Sequence, residues 1–196
     1  MKILITGVTG YLGRKLAVAL TSANHQVVGT SRNPARAGTI DGVKHLFAWA
    51  PLDQPLSADA LAGVDGIVHL VGEPVTGRWT AGKKKRLYDS RVESARNIVR
   101  GIEGSNNHPS VIIGGSGIGY YGDRGEDELP ESEPMGTDFL GHLSADWESA
   151  VLKAESLGIR VVVSRTGLVV GKNAPFLRPQ QPLFKLGIGG RMGSGD

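Results

Sequence analysis

The residues best suited to chemistry come first in the chain: Thr6-Gly7-Val8-Thr9-Gly10-Tyr11-Leu12-Gly13 sets three glycines at GxxGxxG spacing directly after Lys2-Ile3-Leu4-Ile5-Thr6. Glycine at the first two positions permits a tight turn and lets a pyrophosphate approach the backbone. The third lets a helix pack closely on a strand, and that helix's first N–H groups are free for an anion. A turn that merely needs positive φ accounts for one glycine but not for three at this spacing. No Gly-Lys-Ser/Thr follows, which excludes a Walker-type phosphate loop. The end of the second apolar run indicates which dinucleotide is bound. A site for NAD usually places an acid there for the ribose 2′-hydroxyl, yet no Asp or Glu occurs from Met1 to Ile40, and the run ends Thr30-Ser31-Arg32 with Arg36 close behind. Guanidinium groups suit a 2′-phosphate by charge and by fork geometry, so the reading is NADP(H). The alternative is that Arg32 and Arg36 are ordinary exposed loop residues.

These residues need a scaffold, and the periodicity supplies one. Residues 2–6 read as a strand, and Leu12, Leu16, Ala19 and Leu20 then recur at helical spacing to about Ala23. Further strands are expected at Gln26–Thr30, His45–Trp49, Gly66–Val71, Val111–Ile113 and Arg160–Ser164. Helices are expected near Ser57–Ala62, over 80–103 and around Phe139–Ser156. Strands alternating with helices predict an α/β fold: a Rossmann-type doubly wound parallel sheet with helices on both faces. Residues 1–171 are read as the NADP-binding domain. Residues 172–196, rich in Gly and Pro with no helix or strand expected, are read as the start of a substrate-binding segment whose remainder is truncated or absent.

Composition narrows the function classes. The 196 residues carry 22 Lys and Arg against 19 Asp and Glu, and a formal charge of +3 is too small to suggest a nucleic-acid surface. There is no cysteine, which removes disulfides, thiolate metal sites and cysteine nucleophiles and fits a reducing compartment. Glycines and Arg14-Lys15 interrupt the apolar start where a signal peptide would continue, and no apolar run is long enough to span a membrane. The expectation is a cytoplasmic protein with no membrane or nucleic-acid partner, and a homodimer is its expected assembly. His69 and His142 lack metal-spaced partners and read as core or surface residues, so no metal is expected. Lys83-Lys84-Lys85-Arg86 and the acids Asp123, Glu126, Asp127, Glu128, Glu131 and Glu133 read as solvated faces.

A second chemical segment is Gly114-Gly115-Ser116-Gly117-Ile118-Gly119-Tyr120-Tyr121-Gly122. With the opening turn it resembles the extended short-chain dehydrogenase/reductase superfamily. It is more similar still to the atypical branch described as the NAD-dependent epimerase, or nucleoside-diphosphate-sugar epimerase, family. The likeness extends to Leu70-Val71-Gly72-Glu73, Arg78-Trp79, Ser90-Arg91, Asp146-Trp147-Glu148, Arg165-Thr166-Gly167, Leu186-Gly187-Ile188-Gly189-Gly190 and Gly193-Ser194-Gly195. The resemblance implies that Gly7, Thr9, Gly10, Tyr11, Leu12 and Gly13 hold the pyrophosphate and that Ser31 and Arg32 hold the adenosine ribose phosphate. It further implies that Leu70, Val71 and Gly72 line the cofactor. Arg91, where typical members have asparagine, would bring charge near it; the alternative for Arg91 is an exposed helix residue.

The chain departs from the superfamily where catalysis is usual. The Tyr-x-x-x-Lys pair, in which lysine readies tyrosine for proton transfer, is replaced by Leu143 and Trp147, and neither can move a proton. Ser116 remains, with Tyr121 and Tyr120 as candidate proton carriers and Glu148 a further one. Packing or surface roles stay open for each. Two functions follow. One is an NADP(H)-dependent oxidoreductase or epimerase that passes a hydride to or from a small carbonyl or hydroxyl substrate. The other is a nicotinamide-binding protein without turnover, serving as a redox sensor or a partner-binding module.

Overall fold

A computed structural model of the chain describes residues 1–190. Six strands form one sheet: β1 (Lys2–Thr6), β2 (Gln26–Ser31), β3 (Val43–Ala48), β4 (Gly66–His69), β5 (Val111–Gly117) and β6 (Arg160–Thr166). They lie in the order β3-β2-β1-β4-β5-β6, and the β1–β2, β1–β4, β2–β3 and β4–β5 pairs are all parallel. The chain therefore winds outward from β1 on one side and from β4 on the other. The two directions part between β1 and β4, and a crevice opens at the carboxyl ends of strands at such a point. This is the Rossmann-type sheet expected from the alternation of periods.

The strand residues alternate between two cores, as side chains of period two must. Ile3, Ile5, Val27 and Val68 pack with Ala17, Leu16 and Leu20 of α1 (Tyr11–Ser22). Leu4, Val28, Ile67 and Ile112 face the other way. They pack with Leu87, Ala95, Ile98 and Ile102 of α4 (Ala81–Glu103) and with Leu143, Ala150 and Val151 of α5 (Phe139–Leu152). The remaining elements are short: α2 (Pro34–Ala37), α3 (Ala58–Leu61), α6 (Gln181–Lys185) and 3-10 turns at Ile118–Tyr120 and Lys153–Leu157.

Several expectations need correction. α2 was not anticipated; Asn33 caps it through Arg36 N, and Pro34 presets its first φ. β5 runs four residues beyond Ile113, because Gly114 and Gly115 lack the Cβ that would strike Val151 and the His69 carbonyl. The tail does contain a helix, α6, started by Pro182 near its N-terminus. By their internal contacts the described residues form two units, one Met1–Arg165 and one starting at Thr166. Among the described residues no helix is long and apolar enough to cross a membrane.

Candidate functional site

A cleft of about 460 Å³ lies at the carboxyl ends of β1, β2 and β4. Its floor is the glycine turn, where each glycine answers a different constraint. Gly7 has φ +77°, and a Cβ there would stand 2.7 Å from the Leu70 carbonyl oxygen, so the turn presses directly on the end of β4. A Cβ on Gly13 would come within 2.6 Å of both Gly7 O and Val8 Cα, which fixes how closely α1 approaches β1. Gly10 has the ordinary φ of −76° and only one neighbour, Gly7 O, at 3.2 Å from a notional Cβ. A Cβ at Gly10 would thus be tight against one backbone oxygen, a far smaller obstruction than at Gly7 or Gly13, and Gly10 itself lines the cleft. Gly10 also heads α1, which has neither a side-chain cap nor an acid in its first turn, whereas Asn33, Ser57, Thr80 and Asp138 cap α2 to α5. The first N–H groups of α1 are thus left for solvent or an anion.

The cleft wall comes from three further places. Thr30, Ser31 and Arg32 line it at the end of β2, and Leu70 to Pro74 line it after β4. Trp49 to Asp53 close the far side; Trp49 N donates to Ser31 O at 3.0 Å and Trp49 Nε1 to Gln54 O at 3.0 Å, tying that loop to β2. The sequence reading missed this wall, although an apolar Trp-Ala-Pro-Leu run directly after a strand was a visible signal. Arg86, Asp89 and Ser90 of α4 also line the cleft. Arg36, on α2, does not. Tyr11, Leu12, Gly13, Arg91, Ser116, Tyr120 and Tyr121 do not line it either.

Of the basic run on α4, Lys84, Lys85 and Arg86 are exposed, as a solvated face requires, and Lys83 is drawn inward. Lys83 Nζ donates to Glu73 Oε1 at 2.8 Å, and this hydrogen bond holds the Glu73 carboxyl below its usual range; Lys84 lies 5.1 Å from the Phe139 ring centre. The Lys83–Glu73 bond, with Glu73 N donating to Ser90 Oγ at 2.9 Å, anchors the loop after β4 on α4. The acidic loop is likewise partly paired, with Arg124 against Asp127 and Glu133.

Beneath the Leu70–Gly72 segment lies a buried polar layer. His69 is fully buried, and Ser94 Oγ donates to Ser90 O at 2.7 Å. His69 Nε2–H therefore donates to Ser94 Oγ at 3.1 Å, and Nδ1 accepts from the Thr6 hydroxyl at 2.7 Å. Burial pulls its pKa down to about 3, aided by the charge of Arg91. The core reading of His69 is thus the correct one. Arg91 donates to Leu87 O at 3.2 Å, lies 5.4 Å from the Trp147 ring centre and backs onto Gly72. Burial lowers its pKa, and the Glu73 carboxylate partly offsets that. Trp147, standing where the family's lysine would be, supplies the aromatic face under this cation.

The second segment folds into one hydrogen-bonded network. Ser116 on β5 and Glu148 on α5 are 8% and 7% exposed, and Ser116 Oγ donates to Glu148 Oε1 at 2.6 Å. Arg165 on β6 grips the same carboxylate with its fork, Nε to Oε1 at 2.9 Å and Nη2 to Oε2 at 2.8 Å. Its Nη1 donates to the Tyr121 hydroxyl and to Glu131 O, each at 2.9 Å, and its guanidinium lies 3.5 Å from the Tyr120 ring centre. The hydrogen bond to Glu148 raises the Arg165 pKa, with Tyr121 adding to it. Sequence reading singled out Ser116, Tyr120, Tyr121 and Glu148 but not the arginine that joins them. Gly114 is paired with His69 across β4–β5, and a Cβ on the next residue, Gly115, would lie 3.5 Å from Leu70 Cδ2, so Ser116 follows directly on the residue that packs against the cleft-lining Leu70.

Comparison with known proteins agrees with this geometry. The epimerase family protein Mb2239 of Mycobacterium bovis is 34% identical over 193 residues, which are 97% of this chain and 61% of that protein. A chloroplastic SDR39U1 homologue of Arabidopsis thaliana is 30% identical over all of this chain and 57% of its own length. The chain thus spans about three-fifths of these relatives. Human epimerase family protein SDR39U1, solved with NADPH, superposes with a TM-score of 0.83 at 29% identity, over 100% of this chain and 63% of that one. A Corynebacterium glutamicum nucleoside-diphosphate sugar epimerase gives 0.78 at 31%, over 100% of this chain and 39% of that one. The model of the NAD dependent epimerase/dehydratase family matches residues 3–184, and the chain belongs to that family.

Proposed function

We propose that this chain holds NADP(H) in the cleft at β1 and β4, as part of an enzyme that moves a hydride between the nicotinamide and a small carbonyl or hydroxyl compound. The observation that carries the reading is the pairing of an uncapped, acid-free α1 N-terminus at one end of the cleft with Arg32 and Ser31 at the other. Gly10, which lines the cleft and where a Cβ would meet only Gly7 O, at 3.2 Å, fits the close backbone approach of a pyrophosphate. Gly7, Thr9 and Gly10 would hold it, with the N–H groups of Tyr11, Leu12 and Gly13 above. Ser31 and Arg32 would take the 2′-phosphate, and Leu70, Val71 and Gly72 would line the cofactor with Arg91 behind them. When bound, the dinucleotide supplies a hydride donor or acceptor; the chain's own part is to orient it and to handle the accompanying proton. The superposition on an NADPH-bound relative supports the choice of cofactor.

Calorimetric titration tests it. Losing a charge-assisted phosphate contact costs about 1.5–3 kcal/mol, so NADPH should bind at least about tenfold more tightly than NADH. Equal affinities would overturn the NADP(H) reading. A second reading, binding without turnover, is favoured by Leu143 and Trp147, which are both buried at the positions of the usual tyrosine and lysine. The cysteine-free sequence supports a cytoplasmic setting, and light scattering on the purified chain would test the homodimer.

A further inference from the structure

We propose that the proton acceptor of this site is the Glu148 carboxylate, reached through the Ser116 hydroxyl, and that Tyr121 positions the network without carrying the proton. The proposal rests on the hydride-transfer reading above and names the residues that would serve it.

The geometry gives Ser116 one role. Its single proton points at Glu148 Oε1, 2.6 Å away, so toward any ligand Oγ offers only lone pairs. Such an oxygen accepts from a substrate hydroxyl and has nothing to give a substrate carbonyl. The site as it stands is therefore set for an alcohol. The substrate O–H proton passes to Ser116 Oγ while the Ser116 proton passes to Glu148 Oε1. With an oxidised nicotinamide dinucleotide held in the cleft, the electron pair of the substrate C–H bond would leave to it as hydride and the alcohol would become a carbonyl. Glu148 then returns its proton to water. In the reverse direction the same atoms require Glu148 to start protonated.

Tyr121 is the competing carrier, and its surroundings argue against it. Its hydroxyl accepts from Arg165 Nη1 at 2.9 Å, and that guanidinium already grips Glu148 with its other two nitrogens. The direct link from Ser116 runs to Glu148. Arg165, fixed by the Glu131 carbonyl and the Tyr120 face as well, holds the carboxylate at the height of Ser116.

Two measurements decide the matter, each on the full chain and on Glu148→Gln, Ser116→Ala and Tyr121→Phe. The first needs no substrate: a short O–H···O⁻ bond gives a strongly downfield hydroxyl proton in the NMR spectrum. That resonance should be present in the parent and in Tyr121→Phe and absent from the other two. Its persistence in Glu148→Gln overturns the proposal. The second is oxidation of a panel of small secondary alcohols and polyols by NADP⁺, with calorimetric NADPH affinity measured beside it. Glu148→Gln and Ser116→Ala should lose about 100-fold or more in kcat/KM, the usual range for a proton-transfer group, with affinity held within about twofold. Tyr121→Phe should lose less than about tenfold. A larger loss in Tyr121→Phe than in Glu148→Gln, or no turnover of the panel by the parent, overturns the relay. Failure of NADPH to bind the parent would instead remove the cofactor reading beneath it.

Discussion

Gly10 and Gly13 stand three residues apart in one turn, yet substitution should separate ligand binding from stability. In Gly13→Ala the new methyl would lie 2.6 Å from Gly7 O and from Val8 Cα, both backbone atoms that cannot rotate aside. α1 must then lift from β1. Overpacking of this kind costs about 1–3 kcal/mol, somewhat reduced by the better helix propensity of alanine. For a chain of this size each kcal/mol corresponds to roughly 2–4 °C in Tm, so Gly13→Ala should melt about 2–12 °C lower. In Gly10→Val the backbone at φ −76° and ψ 172° is one that valine adopts readily, and the nearest atom to its Cβ is Gly7 O at 3.2 Å. The cost to the fold is that of a poor N-cap and a slight give at Gly7 O, about 1 kcal/mol. Its branched side chain, however, would fill the space over the turn that a pyrophosphate needs, and NADPH affinity should fall at least tenfold, about 1.4 kcal/mol. Thermal unfolding with and without NADPH, together with calorimetry, reads both effects. The reasoning fails if folded Gly10→Val binds NADPH like the parent, or if Gly13→Ala melts where the parent does.

Other outcomes follow from particular contacts. Arg32→Asp should abolish or reverse the preference for NADPH over NADH in the same titration, because the cleft then presents an anion to the 2′-phosphate. Arg165→Met leaves the Glu148 carboxylate buried without its cation and should cost about 3–5 kcal/mol in urea unfolding. Arg165→Met combined with Glu148→Gln should recover part of that loss. His69, neutral in the fold with its pKa pulled from 6.5 to about 3, binds a proton in the unfolded chain first. Its contribution is therefore present above pH 6.5 and is lost as pH falls toward 3. The slope of stability against pH across that window should be shallower in His69→Gln, and an unchanged slope would mean that His69 does not titrate on unfolding.

The fold was legible because its signals are local. β1, the glycine turn and α1 follow one another within residues 2–22, and the alternation of strand and helix periods fixes the sheet's class without any long-range information. That Gly7, Gly10, Ser31, Arg32 and Leu70 to Gly72 line one cleft was legible for the same reason, since each sits at the end of a strand or just after it. What stayed hidden depends on partners distant in sequence. The loop from Trp49 to Asp53 becomes a cleft wall only when Trp49 is bonded back to Ser31. Lys83 is half-buried only because Glu73 crosses to it, and a basic run alone carries no trace of that.

The replacement of the family's usual proton machinery shows the same limit. Trp147 and Glu148 are adjacent on α5, so they point about 100° apart around the helix. Trp147, at the lysine position, turns to His69 and Arg91 under the cleft floor, whereas Glu148 turns to Ser116 and Arg165. Losing a proton carrier at one position thus still leaves a carboxylate at the next, because the adjacent residue on the helix faces the neighbouring strands. The positive charge that lysine would bring comes from β6 instead, as a guanidinium seventeen residues further along the chain. A guanidinium differs from an ammonium in what it can stabilise: its planar fork fits both oxygens of one carboxylate at 2.9 and 2.8 Å and still leaves Nη1 for Tyr121. A lysine at residue 165 could serve Glu148 or Tyr121 but not hold both in register. Arg165→Lys should accordingly keep the charge, lose the alignment of Ser116 with Glu148, and remove the downfield hydroxyl proton while NADPH affinity stays within about twofold. If that proton survives in Arg165→Lys, charge alone orders the network and the fork geometry is incidental.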